Sequence, residues 1–196
     1  VDACYKNLSH YPNLHVVQGD ILSLPFCDNS FDYVYSLGVL QHTPDVEKSF
    51  KSLVSVLKPG GKICTDFYWK RFRTLMHSKY VFRPITKRMK KERLFHILKR
   101  IVPKMLFLSK LLNRVPFIGV ALKRLIPVAN YAGIFPLDEK QIQEWALLDT
   151  FDMLAPQFDK PQSKITIAKW YSEMGLINIE IFHSSHLVGR GIKPRS

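Results

Sequence analysis

Apolar and polar positions along this chain follow two rhythms. Residues 2 to 10 predict a short helix with Cys4, Tyr5 and Leu8 on one side, stopped by the turn Tyr11-Pro12-Asn13. Leu14 to Gln18 and Phe31 to Ser36 are short β-rich runs, the second almost continuously apolar and aromatic, as in parallel strands buried on both faces. Val46, Phe50, Leu53, Val54 and Leu57 then fall at helical spacing. Lys58-Pro59-Gly60-Gly61 should stop that helix sharply before a strand over Lys62 to Phe67. Near the C-terminus, Ser163 to Met174 predicts an amphipathic helix capped by Gly175. Strands over Leu176 to Phe182 and Leu187 to Gly191 follow, around the polar turn His183-Ser184-Ser185-His186.

Helices alternating with strands predict an α/β fold. The expectation is a Rossmann-like, doubly wound, mostly parallel sheet with a C-terminal antiparallel hairpin, its ligand lying at the carboxyl ends of the strands. Three segments are expected: a core portion over 1–67, a basic helical insert over 68–136, and return helices with the closing hairpin over 137–196. The insert is punctuated by Pro84, Pro103, Pro116 and Pro127, which predicts three or four short helices between prolines.

Composition changes this picture at one place. With 196 residues and 46% apolar content the chain can bury a sizeable core. It has no apolar run of spanning length and no signal-peptide pattern at its first residues. Cys4, Cys27 and Cys64 are scattered without CxxC spacing, so neither a disulfide framework nor a metal site is expected, and a cytoplasmic setting is. The net charge of +13 is not spread evenly: between Lys70 and Arg124 stand 17 Lys and Arg against one acid, Glu92. A local excess of this kind concerns partners rather than fold. Residues 70–127 are dense in Leu, Ile and Phe as well, which suits peripheral contact with the inner face of a membrane; a solvated lid is the bland alternative, and nucleic acid fits less well.

The run Val17 to His42 contains, in order, Gly19-Asp20, then Leu24-Pro25-Phe26-Cys27-Asp28-Asn29-Ser30-Phe31-Asp32, then Gly38-Val39-Leu40-Gln41-His42; Leu57-Lys58-Pro59-Gly60-Gly61 follows. This succession resembles the class I S-adenosylmethionine-dependent methyltransferases of the quinone- and small-molecule-methylating type. The likeness covers residues 1 to 67 well and the closing hairpin loosely.

The resemblance implies S-adenosyl-L-methionine as cofactor and methyl transfer to a small-molecule or lipid-linked acceptor. It places Asp20 against the adenine amino group with the Ile21 backbone beside the ring, and the loop Ser36-Leu37-Gly38 at the methionine ammonium. Gly38 would let the chain approach closely. The bland alternatives are a helix N-cap for Asp20 and a plain turn for Ser36 to Gly38. His42 is a candidate for shaping the acceptor site, or a helix-start histidine packed on its neighbours. Asp149, Asp152 and Tyr131 either face the acceptor or cap helices and position the lid. The family's glycine-rich loop and ribose-binding acid are not found ahead of Asp20. An N-terminally truncated fragment, inactive alone, is therefore expected; the alternative is a non-catalytic remnant binding membrane or nucleic acid through the insert.

Overall fold

The computed structural model describes residues 1–71, 78–112, 122, 125–131 and 133–195. These form two units: residues 1–69 with 160–196, and residues 70–159.

The first unit is α/β. Its elements are α1 (Asp2–Leu8), β1 (Phe31–Ser36), a 3-10 turn (Leu40–His42), α2 (Val46–Ser55), β2 (Leu57–Phe67), α6 (Lys164–Glu173), β3 (Ile177–Ser184) and β4 (His186–Ile192). The sheet order is β1-β2-β4-β3. β1 and β2 run parallel, while β4 is antiparallel to both β2 and β3, so the sheet is mixed and the C-terminal hairpin closes it. That hairpin turns on Ser185 alone, which adopts φ 62°.

Both helices of the core start on side-chain caps. Asp45 accepts the Lys48 N–H at 3.0 Å and Ser163 accepts the Thr166 N–H at 3.0 Å, each satisfying a donor that the first helical turn leaves unpaired. From α2, Phe50, Leu53 and Val54 face the sheet; from α6, Ile167, Trp170 and Tyr171 do the same, and all pack with Ile63, Phe67 and Leu187. The rings of Phe50 and Tyr171 stack at 4.7 Å. Tyr171 is fully buried, and its hydroxyl shares a 2.8 Å hydrogen bond with Thr65 Oγ1. Burial pushes its phenol well above the ordinary value of 10. This ring is why β4 carries glycines: a Cβ at Gly189 would lie 2.8 Å from Tyr171 Oη, and one at Gly191 would lie 3.1 Å from Tyr171 Cδ1.

Three sequence expectations for this unit are corrected. Residues 14–18 form no strand, and Leu14 and Val17 are exposed. A β-rich run becomes a strand only where a neighbour completes its ladder, and among the described residues none pairs with it. β1 is not buried on both faces: Val34 packs against the core, whereas Tyr33 and Tyr35 stand exposed, because α2 and α6 cover the face to which Val34 points. Lys58-Pro59-Gly60-Gly61 is not a turn ahead of β2 but an irregularity within it. Pairing jumps from Phe31↔Leu57 to Tyr33↔Lys62, with Gly60 at φ 80° accommodating the bulge.

The second unit is helical, with α3 (Lys79–Thr86), α4 (Lys91–Leu112) and α5 (Glu139–Leu154). Prolines do not separate these helices as expected: Pro84 lies within α3 and Pro103 within the 22-residue α4. The expectation around Pro116 lies outside the described residues. α4 lays Leu94, Leu98, Val102 and Leu106 against Ala146 and Leu154 of α5. That packing carries the unit to residue 159, beyond the expected boundary at 136. A capping box starts α5: Asp138 accepts the Gln141 N–H at 2.8 Å, and Gln141 accepts the Asp138 N–H at 3.0 Å. After α5, Asp159 is held by Lys79 at 2.7 Å and its side chain is only 2% exposed. Arg83 donates to the Met153 and Pro156 carbonyls, satisfying groups that the end of α5 would otherwise strand.

Candidate functional site

The chain segments around Gly19 to Ile21 and Ser36 to Leu37 line one cavity of about 420 Å³, with Phe26 and Tyr35 among its other walls. That volume is within the range of small-molecule pockets. Of the five residues the sequence nominated for the methyl donor, Ile21, Ser36 and Leu37 line the cavity; Asp20 and Gly38 are their immediate chain neighbours.

Gly19 is required by packing, since a Cβ there would come within 2.7 Å of Pro25 Cδ. The close approach lets the chain fold back on itself just after Asp20. Asp20 does not cap a helix: its Oδ1 accepts the Leu22 N–H at 2.9 Å in a local turn, and its side chain is exposed. Gly38 has a different reason from the expected close approach. Its φ is +72°, and an added Cβ would meet no protein atom within 4 Å, so the left-handed backbone is what selects glycine.

Beyond this, the structure adds a residue that the sequence reading missed. Asp66, near the end of β2 and largely buried, accepts the Gly38 N–H at 2.6 Å through Oδ1 and meets His186 Nδ1 at 3.0 Å through Oδ2. It fixes the loop leaving β1 from the neighbouring strand. A lone acid in the β-rich run Ile63-Cys64-Thr65-Asp66-Phe67 was the signal available for it. His42 ends the 3-10 turn with its ring edge-on to Tyr68 at 5.4 Å, and Tyr68 lies 5.1 Å from the His186 ring. A histidine-aromatic cluster thus follows the β1 and β2 ends. In the second unit, Tyr131 donates to Asp149 and its ring packs beside Trp145 at 5.3 Å, giving both residues local structural work.

One buried polar atom on the cavity wall has no partner. Ser36 Oγ is buried and makes no hydrogen bond among the described residues, a costly arrangement unless a ligand completes it. A nucleoside-bearing donor fits that requirement, having hydroxyls and an ammonium to offer beside an apolar wall from Ile21, Leu24 and Leu37.

Residues 1–65 match the methyltransferase-domain family. Over 58 residues the chain is 50% identical to demethylmenaquinone methyltransferase of Staphylococcus haemolyticus, covering 30% of this chain and 24% of that protein. It is 49% identical over 53 residues to phosphoethanolamine N-methyltransferase 2 of Caenorhabditis elegans, covering 27% and 12%. It is 46% identical over 56 residues to sterol 24-C-methyltransferase erg6 of Aspergillus fumigatus, covering 29% and 14%. The matched stretch is thus at most about a quarter of these relatives' length. A solved S-adenosylmethionine-dependent methyltransferase from Thermotoga maritima superposes with a TM-score of 0.44 at 13% identity, over 92% of this chain and 64% of that one. Residues 1–65, about a third of the chain, are thus similar to methyltransferase-domain sequence.

Proposed function

We propose that the protein to which this chain belongs transfers a methyl group from S-adenosyl-L-methionine to a small-molecule or lipid-linked acceptor, and that the cavity at the tip of β1 takes the nucleoside end of the donor. The observation that carries this reading is the meeting of Gly19 to Ile21 with Ser36 and Leu37 around one cavity, inside the segment that matches the methyltransferase domain.

The cofactor, when bound, supplies a methyl already activated by its sulfonium charge, so the chain has to position and desolvate rather than provide a strong base. Asp20 would accept from the adenine amino group, and the Ile21 and Leu37 side chains would exclude water from the ring. Ser36 Oγ would gain its missing partner. Asp66, by holding the Gly38 N–H, keeps the loop carbonyls where a cationic amino group can be received. The three named relatives act, by their names, on an ethanolamine phosphate, a quinone and a sterol, and a lipid-linked or small acceptor is taken from that shared character. The 196 residues contain no Gly-x-Gly-x-Gly run, so the chain alone should hold the donor weakly and transfer nothing.

A titration by two-dimensional NMR with S-adenosylhomocysteine tests this, since it reads weak binding site by site. Amide shifts should concentrate at Asp20, Ile21 and Ser36 to Gly38, and Asp20→Ala should weaken them at least several-fold. Shifts at one tip without the other, or none at either at millimolar ligand, would refute the assignment.

A further inference from the structure

The solvent side of α4 has the make-up of a surface that meets lipid. Its buried stripe, Leu94, Leu98, Val102 and Leu106, is used against α5. A helix needing only that contact would be polar elsewhere. Instead Ile97, Ile101, Phe107, Leu108 and Leu111 are all exposed. At about 100° per residue they gather on one half of the helix, and Arg93, Arg100 and Lys104, also exposed, lie on the same half between them. Glu92, the only acid on α4, lies roughly 80–120° around the axis from the three cations of that row.

We infer that this face of α4 docks the protein on an anionic lipid surface, lying in the plane of the interface with its aliphatic side chains at the acyl boundary and its cations among the headgroups. Charge and apolarity select this occupant together. Nucleic acid would be met by the cations, but Ile97, Ile101 and Leu108 offer neither stacking nor hydrogen bonds to it. Arg and Lys beside aliphatic residues, with no acid on that half, are what anionic headgroups over an acyl layer require. No helix among the described residues is long and apolar enough to cross a membrane, so the contact is peripheral. The inference does not depend on the methyl-transfer reading, although an enzyme with a lipid-linked acceptor would gain from being held at the lipid surface.

The test is co-sedimentation of the whole chain with vesicles of phosphatidylcholine alone and of phosphatidylcholine containing about a third phosphatidylserine. The chain should sediment with the anionic vesicles and not with the neutral ones. Arg93→Gln, Arg100→Gln and Lys104→Gln together should weaken that binding on the order of a hundredfold, about fivefold per cation. Ile97→Ser, Ile101→Ser and Leu108→Ser together leave the charge unchanged and should also reduce binding at least tenfold. All six positions are exposed, and circular dichroism would verify that each variant keeps its helices. Sedimentation with neither vesicle, whether or not the chain binds RNA or DNA, overturns the inference. So does full binding by the serine variant, which would mean that charge alone is at work.

Discussion

Placing a methyl group at position 189 perturbs the most closely fitted contact of the sheet unit. The Cβ of Gly189→Ala would stand 2.8 Å from both Tyr171 Oη and Cζ and 2.9 Å from Cε2, and these atoms belong to a rigid ring rather than a flexible chain end. The ring has no easy retreat, being stacked on Phe50 at 4.7 Å on one face and fully buried. Overpacking of this kind costs about 1–3 kcal/mol. Displacing the ring also breaks the 2.8 Å bond to the buried Thr65 hydroxyl, adding about 1 kcal/mol. The lower backbone entropy of an unfolded alanine returns roughly 0.5–1 kcal/mol. A net loss of about 1–3.5 kcal/mol follows for unit 1. Gly191→Ala, whose contacts are 3.1 and 3.3 Å, should lose less than half as much. The assay is urea unfolding followed by tryptophan fluorescence in a Trp145→Phe background, because Trp145 belongs to the other unit while Trp69 and Trp170 report on this one. The slope with urea should be unchanged. Combining Gly189→Ala with Tyr171→Phe should give about 1 kcal/mol less than the sum of the two, since the Thr65 bond can be lost only once. A Gly189→Ala midpoint equal to wild type, or additivity in the double variant, would refute the reasoning.

Three further outcomes are expected. Asp66→Ala should speed hydrogen exchange at the Gly38 amide by at least tenfold and cost about 1–3 kcal/mol through the stranded N–H, while Asp66→Asn, which keeps an acceptor, should restore most of the protection. Asp159→Ala should destabilise unit 2 by about 3–5 kcal/mol, because the buried Lys79 and Arg83 would both lose the carboxylate they face; the check is the loss of α4 and α5 helicity on heating. Glu47 is held below its usual carboxylate value by the hydrogen bond from Lys51, so its contribution to α2 is present at neutral pH and disappears as pH falls below about 4.5. Glu47→Gln should flatten the acid limb of the stability profile between pH 5 and roughly 3, a small effect that salt should erase.

How much of this could be read from residue order depended on how local the cause was. α2 and α6 were legible because each carries a stripe of apolar positions at helical spacing. β1, β3 and β4 were legible because their β-rich runs find partners. Residues 14–18 have the same kind of run, but a strand is a property of a pair and the sequence shows only one member. Pro103 misled for a related reason: its ring opens a backbone gap in α4, yet the packing of Leu98, Val102 and Leu106 on α5 outweighs a break. At the candidate site, motif order alone nominated Ile21, Ser36 and Leu37, which line one cavity. Asp66 was not nominated, because its role is set by a hydrogen bond spanning 28 residues, which no local pattern encodes.

The tail after β4 has a consequence for how the chain must be assembled. Lys193 reaches back 164 residues to Asn29 and also donates to the Leu57 carbonyl, while the Gly60 and Lys193 backbones bond to one another. The helical unit, by contrast, is finished once residue 159 has left the ribosome. The sheet has to wait with β1 and β2 synthesised and its hairpin still missing, exposing Leu57, Ile63 and Phe67 in the interval. Long-range closure of this kind is slow and favours aggregation. A nascent chain stalled before Lys160 would therefore offer chaperones the uncovered β2 residues Leu57, Ile63 and Phe67.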